Sequence, residues 1–350
     1  MPRHIIHIGY HKTATNFFQR IFYPAVTNLR YVNRKKVKRA FLADSALKFD
    51  ADRAWRALEA ERSERLALCD EDLSGNIHTG GLFGCFTKEI AQRLHQVLPD
   101  SDVVVFVRNQ VDMIGSVYQQ YIKEGGTYSV DRYLYPGRYL PPSGFQPAKA
   151  PLFNFDHFDY AALVALYDGL FGQERVHVFA YEAFSRDNPT FLQQYTERLD
   201  LKVDLAALQK SRPNPPYGRG VLPVARLLNR FTYRDVLYKR YIIHLPFMYK
   251  LRGAIVKGLN RLPALASPVP AESLLGQENT RFIREFYAES NRRLALRTGL
   301  PLADYGYALG SGASPPDRGR SVANGGMSCS TGAMQVRPDR APSLRDTRSR

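Results

Sequence analysis

Ile6-His7-Ile8-Gly9-Tyr10-His11-Lys12-Thr13-Ala14-Thr15-Asn16 passes from an apolar run into a short polar turn and on into the start of a helix. Residues 4–9 are apolar enough for a short buried strand, and Thr15 to Phe22 continues as helix. Gly9 lets the backbone turn sharply off the strand. Backbone N–H groups at a helix N-terminus point at whatever lies there, and the helix dipole favours an anion. Lys12 adds a full positive charge, and Thr13 and Thr15 add hydroxyl donors. Gly9, Tyr10, His11, Lys12, Thr13, Ala14, Thr15 and Asn16 therefore read together as a phosphate cradle. It is not a Walker A loop, which places its lysine directly after a second glycine and a hydroxyl residue next to it; here Lys12 comes three residues after Gly9 with no second glycine before it. The plainer reading is an ordinary strand-to-helix turn with a capping threonine.

Outward from this stretch the chain alternates strands and helices. Val103 to Val107 is the clearest strand, four valines and a phenylalanine between Asp102 and Arg108. Val111 to Glu124 follows as helix and is stopped by Gly125-Gly126. Leu66 to Cys69 is a second apolar run, ending in Asp70-Glu71-Asp72. Arg175 to Ala180 reads as strand, and Ala40 to Arg65, Thr87 to Leu98, Tyr160 to Phe171, Pro189 to Leu199 and Asn279 to Arg297 as helices. The implied fold is α/β: a P-loop-like parallel sheet flanked by helices on both faces, with a helical basic insert. A strand delivers Arg108 at its C-terminal end, where ligands of open α/β sheets collect, and Ser116 lies eight residues later in the helix. The arginine fork suits phosphate and serine adds a neutral donor. Taken singly, Arg108 also reads as a surface arginine and Ser116 as a helix serine bonding its own backbone.

The run Gly9 to Asn16 resembles the 5′-phosphosulfate-binding loop of sulfotransferases dependent on 3′-phosphoadenosine 5′-phosphosulfate (PAPS), which usually reads Gly-x-x-Lys-x-Gly-Thr-(Thr/Ser). It is most similar to the bacterial and Golgi-type carbohydrate members. Ala14 stands in place of a glycine, which suits a residue of negative φ, and Asn16 in place of Thr or Ser. The resemblance implies that Arg108 and Ser116 jointly hold the 3′-phosphate. It extends through Phe179-Ala-Tyr181-Glu182 and Phe286 to Asn291, covering residues 4–205 and 279–307. It also implies PAPS as donor, PAP as product, and a carbohydrate or glycolipid hydroxyl as acceptor.

Sulfuryl transfer is an in-line displacement in which positioning and charge stabilisation do most of the catalysis. Lys12 is the group to stabilise charge on the bridging and sulfuryl oxygens. An acceptor hydroxyl needs a general base within reach. Glu71 is the first candidate, because the resembled carbohydrate enzymes place a glutamate after the corresponding strand. Alternation along an extended segment sends Glu71 one way and Asp70 and Asp72 the other, with Asp72 expected to cap the next helix. His11 is the second candidate, with an imidazole that titrates near neutrality; a histidine merely packed beside the nucleotide fits equally well. His4 and His7 are expected to be structural. Arg219 in Tyr217-Gly218-Arg219-Gly220 is a weaker candidate for closing over the nucleotide, with an ordinary linker as the alternative. No metal-ligand cluster is visible.

The chain has 350 residues, ordinary hydrophobic and charged fractions of 44% and 23%, and a net charge of +16. That charge attracts phosphates, sulfates, nucleic acid or an anionic membrane face and does not bear on fold. Three cysteines, Cys69, Cys85 and Cys329, exclude a disulfide framework. With no apolar stretch of signal-peptide or membrane-spanning length, the expectation is a soluble cytoplasmic protein, with membrane association left open by the basic segment. Between Arg226 and Arg261 nine Lys or Arg face one acid, Asp235, among many aromatics. A helical cap with a solvated basic face is the first reading of that segment, an acceptor wall or contact with anionic membrane the second, and nucleic acid the last. The expected organisation is an α/β core over 1–210, the basic insert over 211–270, a closing helix over 271–309 and a disordered tail over 310–350. Two other functions fit parts of the pattern. A P-loop-type kinase would use Thr13 and Asp70 for magnesium, and a non-catalytic anionic-glycan-binding protein would use the positive charge alone.

Overall fold

In the computed structural model, residues 3–139, 153–208, 217–232 and 242–310 are described. The tail beyond Gly310, the proline-rich residues 211–216 and residues 140–151 lie outside them.

Five strands form one all-parallel sheet in the order β2-β3-β1-β4-β5. They are β1 (His4–Gly9), β2 (Arg30–Val32), β3 (Leu66–Cys69), β4 (Ser101–Val107) and β5 (Val176–Ala180). Every strand of a sheet covered on both faces is buried, and β1, β3, β4 and β5 are buried along their whole length. Alternation along β1 sends Ile6 and Ile8 to one core cluster and Ile5 to the other. On the Ile5 side lies α1, which runs Thr15–Phe17, then π-helical Phe18–Phe22, then Tyr23–Ala25. Its Phe18, Phe22 and Tyr23 pack there with Phe106 and Tyr195. His7 joins them, stacked on Phe106 at 5.0 Å with its Nδ1 3.2 Å from the Tyr23 hydroxyl. Burial holds this imidazole down to about 3, and that of His4 to about 4, so both are neutral core groups.

Further helices are α2 (Arg34–Phe41), α3 (Ala51–Leu58), α4 (Cys85–Val97), α5 (Gln110–Lys123), α6 (Tyr160–Phe171), α7 (Asn188–Arg198), α8 (Val221–Leu228), α9 (Met248–Leu259), α10 (Ala271–Leu275) and α11 (Gln277–Thr298). Side chains of α2 to α6 and α11 fill the Ile6/Ile8 side, while α7 shares the Ile5 side with α1. The α/β sheet with helices on both faces is as the sequence implies.

Two local expectations fail. The single helix over 40–65 is broken: Asp50 caps α3 by accepting from the Arg53 N–H, and Glu59 ends it in the left-handed conformation at φ 53°. The edge strand β2 was hidden in the sequence by its length of three residues, two of them only half-buried.

The sheet order places the ends of β3, β1 and β4 side by side. From β1 the chain moves to one side of the sheet, and from β4 to the other. The crevice between their C-terminal ends is thus the ligand position of an open α/β sheet.

Candidate functional site

The turn after β1 is shaped by three residues in the left-handed region, Gly9 at φ 74°, Lys12 at 67° and Ala14 at 63°. At Gly9 the chain has no alternative: a β-carbon would come within 3.0 Å of Thr15 and 3.3 Å of the Glu71 backbone. Ala14 corrects the negative φ expected of it. It is the N-cap of α1 and offers no side-chain acceptor to that helix. Left-handed residues alternating with ordinary ones turn successive N–H groups toward one side and form an anion-binding concavity. Among the described residues, no protein acceptor meets the backbone N–H groups of residues 11–14. Four amides and a helix start without a side-chain cap are thus left with no protein acceptor in one turn.

Thr13 does not join them as a donor. Its buried hydroxyl donates to the Tyr10 carbonyl at 2.5 Å and closes the turn from inside. The Tyr10 ring is buried, with its hydroxyl on the His157 carbonyl at 2.8 Å. Thr15 is buried and Asn16 exposed.

Lys12 reaches across to α5, where its ammonium donates to Gln120 Oε1 at 2.6 Å. Burial, reinforced by the neighbouring Lys123 and Arg108 charges, brings its pKa down to about 8. Its direct partner is a neutral amide, so its charge is not cancelled by a contacting carboxylate. Gln120 in turn donates to Glu124 at 2.7 Å. Ser116 sits one helical turn before Gln120 on the same stripe of α5 and is half-buried.

Arg108 leaves the end of β4 and donates from Nη1 to the Lys12 carbonyl at 3.2 Å, while its guanidinium lies over the Tyr181 ring at 4.9 Å. Several groups fix this strand end. The Tyr160 hydroxyl donates to the Arg108 carbonyl at 2.7 Å, the Asn109 N–H donates to Glu182 at 2.7 Å, and Tyr307 donates to the other Glu182 oxygen at 3.2 Å. The structure therefore brings Arg108 onto the Lys12 turn, with Ser116 on the helix that Lys12 contacts. Arg219 is exposed, its N–H bonded to the Ser267 carbonyl at 3.0 Å, and no contact joins its side chain to this turn among the described residues.

The acidic run after β3 differs from its expected alternation. Glu71–Ser74 is a 3-10 turn, not an extended segment. Its cap is Asp70, which accepts from the Asp72 N–H at 3.0 Å, so Asp72 is not the capping residue. All three carboxylates converge on Arg34, which holds Asp70 at 3.0 and 2.9 Å and Glu71 at 3.1 Å and lies 4.0 Å from Asp72. Glu71 also accepts from Gln19 at 2.6 Å, and its side chain keeps 16% exposure. Asp72 binds Lys38 and, at 2.9 Å, His11 Nε2. Burial alone would raise its carboxyl, but the bonds from His11 and Lys38 hold it far below the usual range. The other ring nitrogen of His11 is buried without a partner. The two candidate bases keep nearly equal side-chain exposure, 16% for Glu71 and 14% for His11, but His11 has one ring nitrogen on Asp72 and the other buried.

Reading along the sequence missed Gln120, Gln19 and Arg34, and gave Asp72 a capping role in place of its bonds to His11 and Lys38. Gln120 had a signal, its i+4 spacing from Ser116. Arg34 had none, because its partners lie 36 to 38 residues away.

No family model matches the sequence, and a sequence comparison with curated proteins finds no match. The structure is similar to a sulfotransferase from Alicyclobacillus acidocaldarius at 16% identity and a TM-score of 0.43, over 77% of this chain and 98% of that one. It is also similar to the sulfotransferase domain from the curacin biosynthetic pathway at 13% identity and 0.34, over 77% of this chain and 99% of that one. The likeness concerns the path of the chain, and no residue role is carried over from it.

Proposed function

We propose that this chain transfers a sulfuryl group from PAPS to a hydroxyl, and that residues 9–16 with Arg108 and Ser116 form the donor site. The observation carrying this reading is the set of four unpaired N–H groups at residues 11–14, with the Lys12 ammonium beside them and Arg108 bonded to the same turn. Such a cluster of donors and cations suits an anion with two separated phosphate groups. PAPS would bring a sulfuryl group on a good leaving group. The amides and Lys12 would hold its 5′ end, and Arg108 with Ser116 the 3′-phosphate. Lys12 would stabilise charge developing on the bridging oxygen. Glu71, oriented by Gln19 and Arg34, would take the proton from the acceptor hydroxyl. His11, bonded to Asp72, would hold the turn. The acceptor is assigned to a carbohydrate or glycolipid on the resemblance of the loop alone.

The kinase reading loses its two anchors here. The Thr13 hydroxyl it needs for magnesium is wholly buried, with its proton on the Tyr10 carbonyl, and Asp70 is wholly buried against Arg34.

The test is a thermal shift with PAP alone and with magnesium-ATP, followed by transfer of labelled sulfate to a glycan panel. PAP should raise the melting temperature and magnesium-ATP should not. Lys12→Ala should lose donor binding and about 10³-fold in turnover. Glu71→Gln should keep donor binding and lose about 10²–10⁴-fold in turnover. Equal activity of wild type and Lys12→Ala ends the proposal.

A further inference from the structure

Among the described residues, large exposed hydrophobic side chains gather in one part of the chain. Six of ten lie between residues 227 and 262: Leu227, Ile242, Ile243, Phe247, Leu251 and Leu262, each between 44% and 68% exposed. Single exposed leucines are unremarkable, but a cluster marks a surface that binds something.

The arrangement on α9 is ordered. Met248, Arg252 and Val256 form its buried stripe. Phe247, Leu251, Ala254 and Gly258 recur at helical spacing along an exposed one, and Leu262 continues it past the helix end. Lys250, Lys257 and Arg261 follow a second exposed stripe beside it. No Asp or Glu occurs from residue 242 to 271, so nothing within that stretch neutralises these cations. Lys257 and Arg261 also line an open pocket of about 310 Å³ with Tyr217, Gly253, Val256 and Asn260.

The face is held by the core. Arg252 turns inward and donates to the Ile122 and Lys123 carbonyls at 3.0 and 2.9 Å, capping the C-terminus of α5. A buried arginine thus fixes α9 to the helix that carries Ser116 and Gln120, and the apolar side chains are left outside.

We propose that this face of α9, with the exposed Ile242 and Ile243 of the segment leading into it, is a docking surface for an anionic phospholipid membrane. The apolar stripe would enter the boundary between headgroups and acyl chains, with Lys250, Lys257 and Arg261 on the phosphates. The open pocket would seat one headgroup. Charge and apolarity side by side select this occupant: an apolar protein partner needs no cations, and nucleic acid needs no exposed Phe247 and Leu251. No helix among the described residues is long and apolar enough to cross a membrane, so the contact is peripheral. It stands independently of the sulfuryl-transfer reading.

The test is co-sedimentation of the full chain with vesicles of phosphatidylcholine alone and of phosphatidylcholine mixed with phosphatidylglycerol, with no sulfuryl donor present. Binding should require the anionic lipid and weaken as salt rises. The triple variant Lys250→Ser, Lys257→Ser, Arg261→Ser should lose roughly a hundredfold in affinity, on the scale of three cations at a charged surface. The double variant Phe247→Ser, Leu251→Ser should lose on the order of tenfold or more, because apolar insertion ends. The tryptophan of Phe247→Trp should shift to the blue on vesicle addition. Unchanged melting temperatures would show that the variants fold, as expected for exposed positions. Binding that both variants retain would overturn the proposal, since the attraction would then be diffuse. So would competition by glycerol phosphate with no vesicle binding, tighter binding to RNA than to vesicles, or a dimer that Leu251→Ser disperses.

Discussion

The turn after β1 and the turn after β3 leave the sheet side by side, yet they treat charge in opposite ways. After β1 the groups are positive or donating and, His11 on Asp72 apart, lack anionic contacts: four amides meet no acceptor, Lys12 meets a neutral glutamine, and Arg108 meets a carbonyl and a ring. After β3 the groups are negative and already matched, since Asp70, Glu71 and Asp72 share Arg34, Lys38, His11 and Gln19. The difference teaches how acids can sit beside a cluster of donors and cations without cancelling it. The protein's own cations offset the acids locally, and the turn after β1 keeps its positive field.

The strongest way to break this contrast is Arg34→Ala. Asp70, with no exposed side-chain surface, would lose its bidentate partner at a cost of about 3 kcal/mol, the lower end of the range because Arg34 is a third exposed. Burial already raises the Asp70 carboxyl, and without Arg34 it would rise further. A folded-state pKa above the unfolded value means stability is lost as pH rises through it. The deficit, measured by denaturant unfolding, should therefore shrink on acidification. The same variant should weaken PAP binding, because uncompensated acid would then face Lys12.

Next in size is a pH effect on the Lys12 side. Its free-state pKa is about 8, so below that pH the ammonium is present, and above it donor binding must take up a proton. Titration calorimetry should show PAP affinity falling above pH 8 by up to about tenfold per unit, with proton uptake visible between buffers. Lys12→Arg should flatten that slope, since guanidinium stays charged.

Ala14→Gly tests the strain in the turn. A left-handed alanine is costly where glycine is not, so the substitution should stabilise the fold by about 1 kcal/mol without weakening PAP binding. A loss of stability would mean that the Ala14 methyl packs usefully.

The smallest effect sharpens the choice of base. Asp72→Asn should change turnover by less than about fivefold, the scale of a half-exposed ion pair. A loss of a hundredfold with a shifted pH–rate profile would instead make His11 the base.

What could be read along the chain was what is local in it. Val103 to Val107 is apolar at every position and could only be a buried strand, and Arg108 is its next residue. The Gly9 to Asn16 turn carries its chemistry within eight consecutive residues. Arg34, Gln19 and Gln120 act through contacts across 36, 52 and 108 residues, and spacing in the sequence says nothing of these. The three acids show the same limit. Alternation separates them only if the segment is extended, and a 3-10 turn capped by Asp70 brings them together instead.

The sequence by itself determined four of the five strands, the helices on both sheet faces and the polar, lysine-bearing turn after the first strand. Hydrophobic periodicity and the charge of a few neighbouring residues do not depend on distant contacts. Only the tertiary structure decided which hydroxyl closes the turn from inside, which carboxylate is wholly buried, and which cations stay without an anionic contact. Those are outcomes of competition among groups that the fold alone brings within hydrogen-bonding distance.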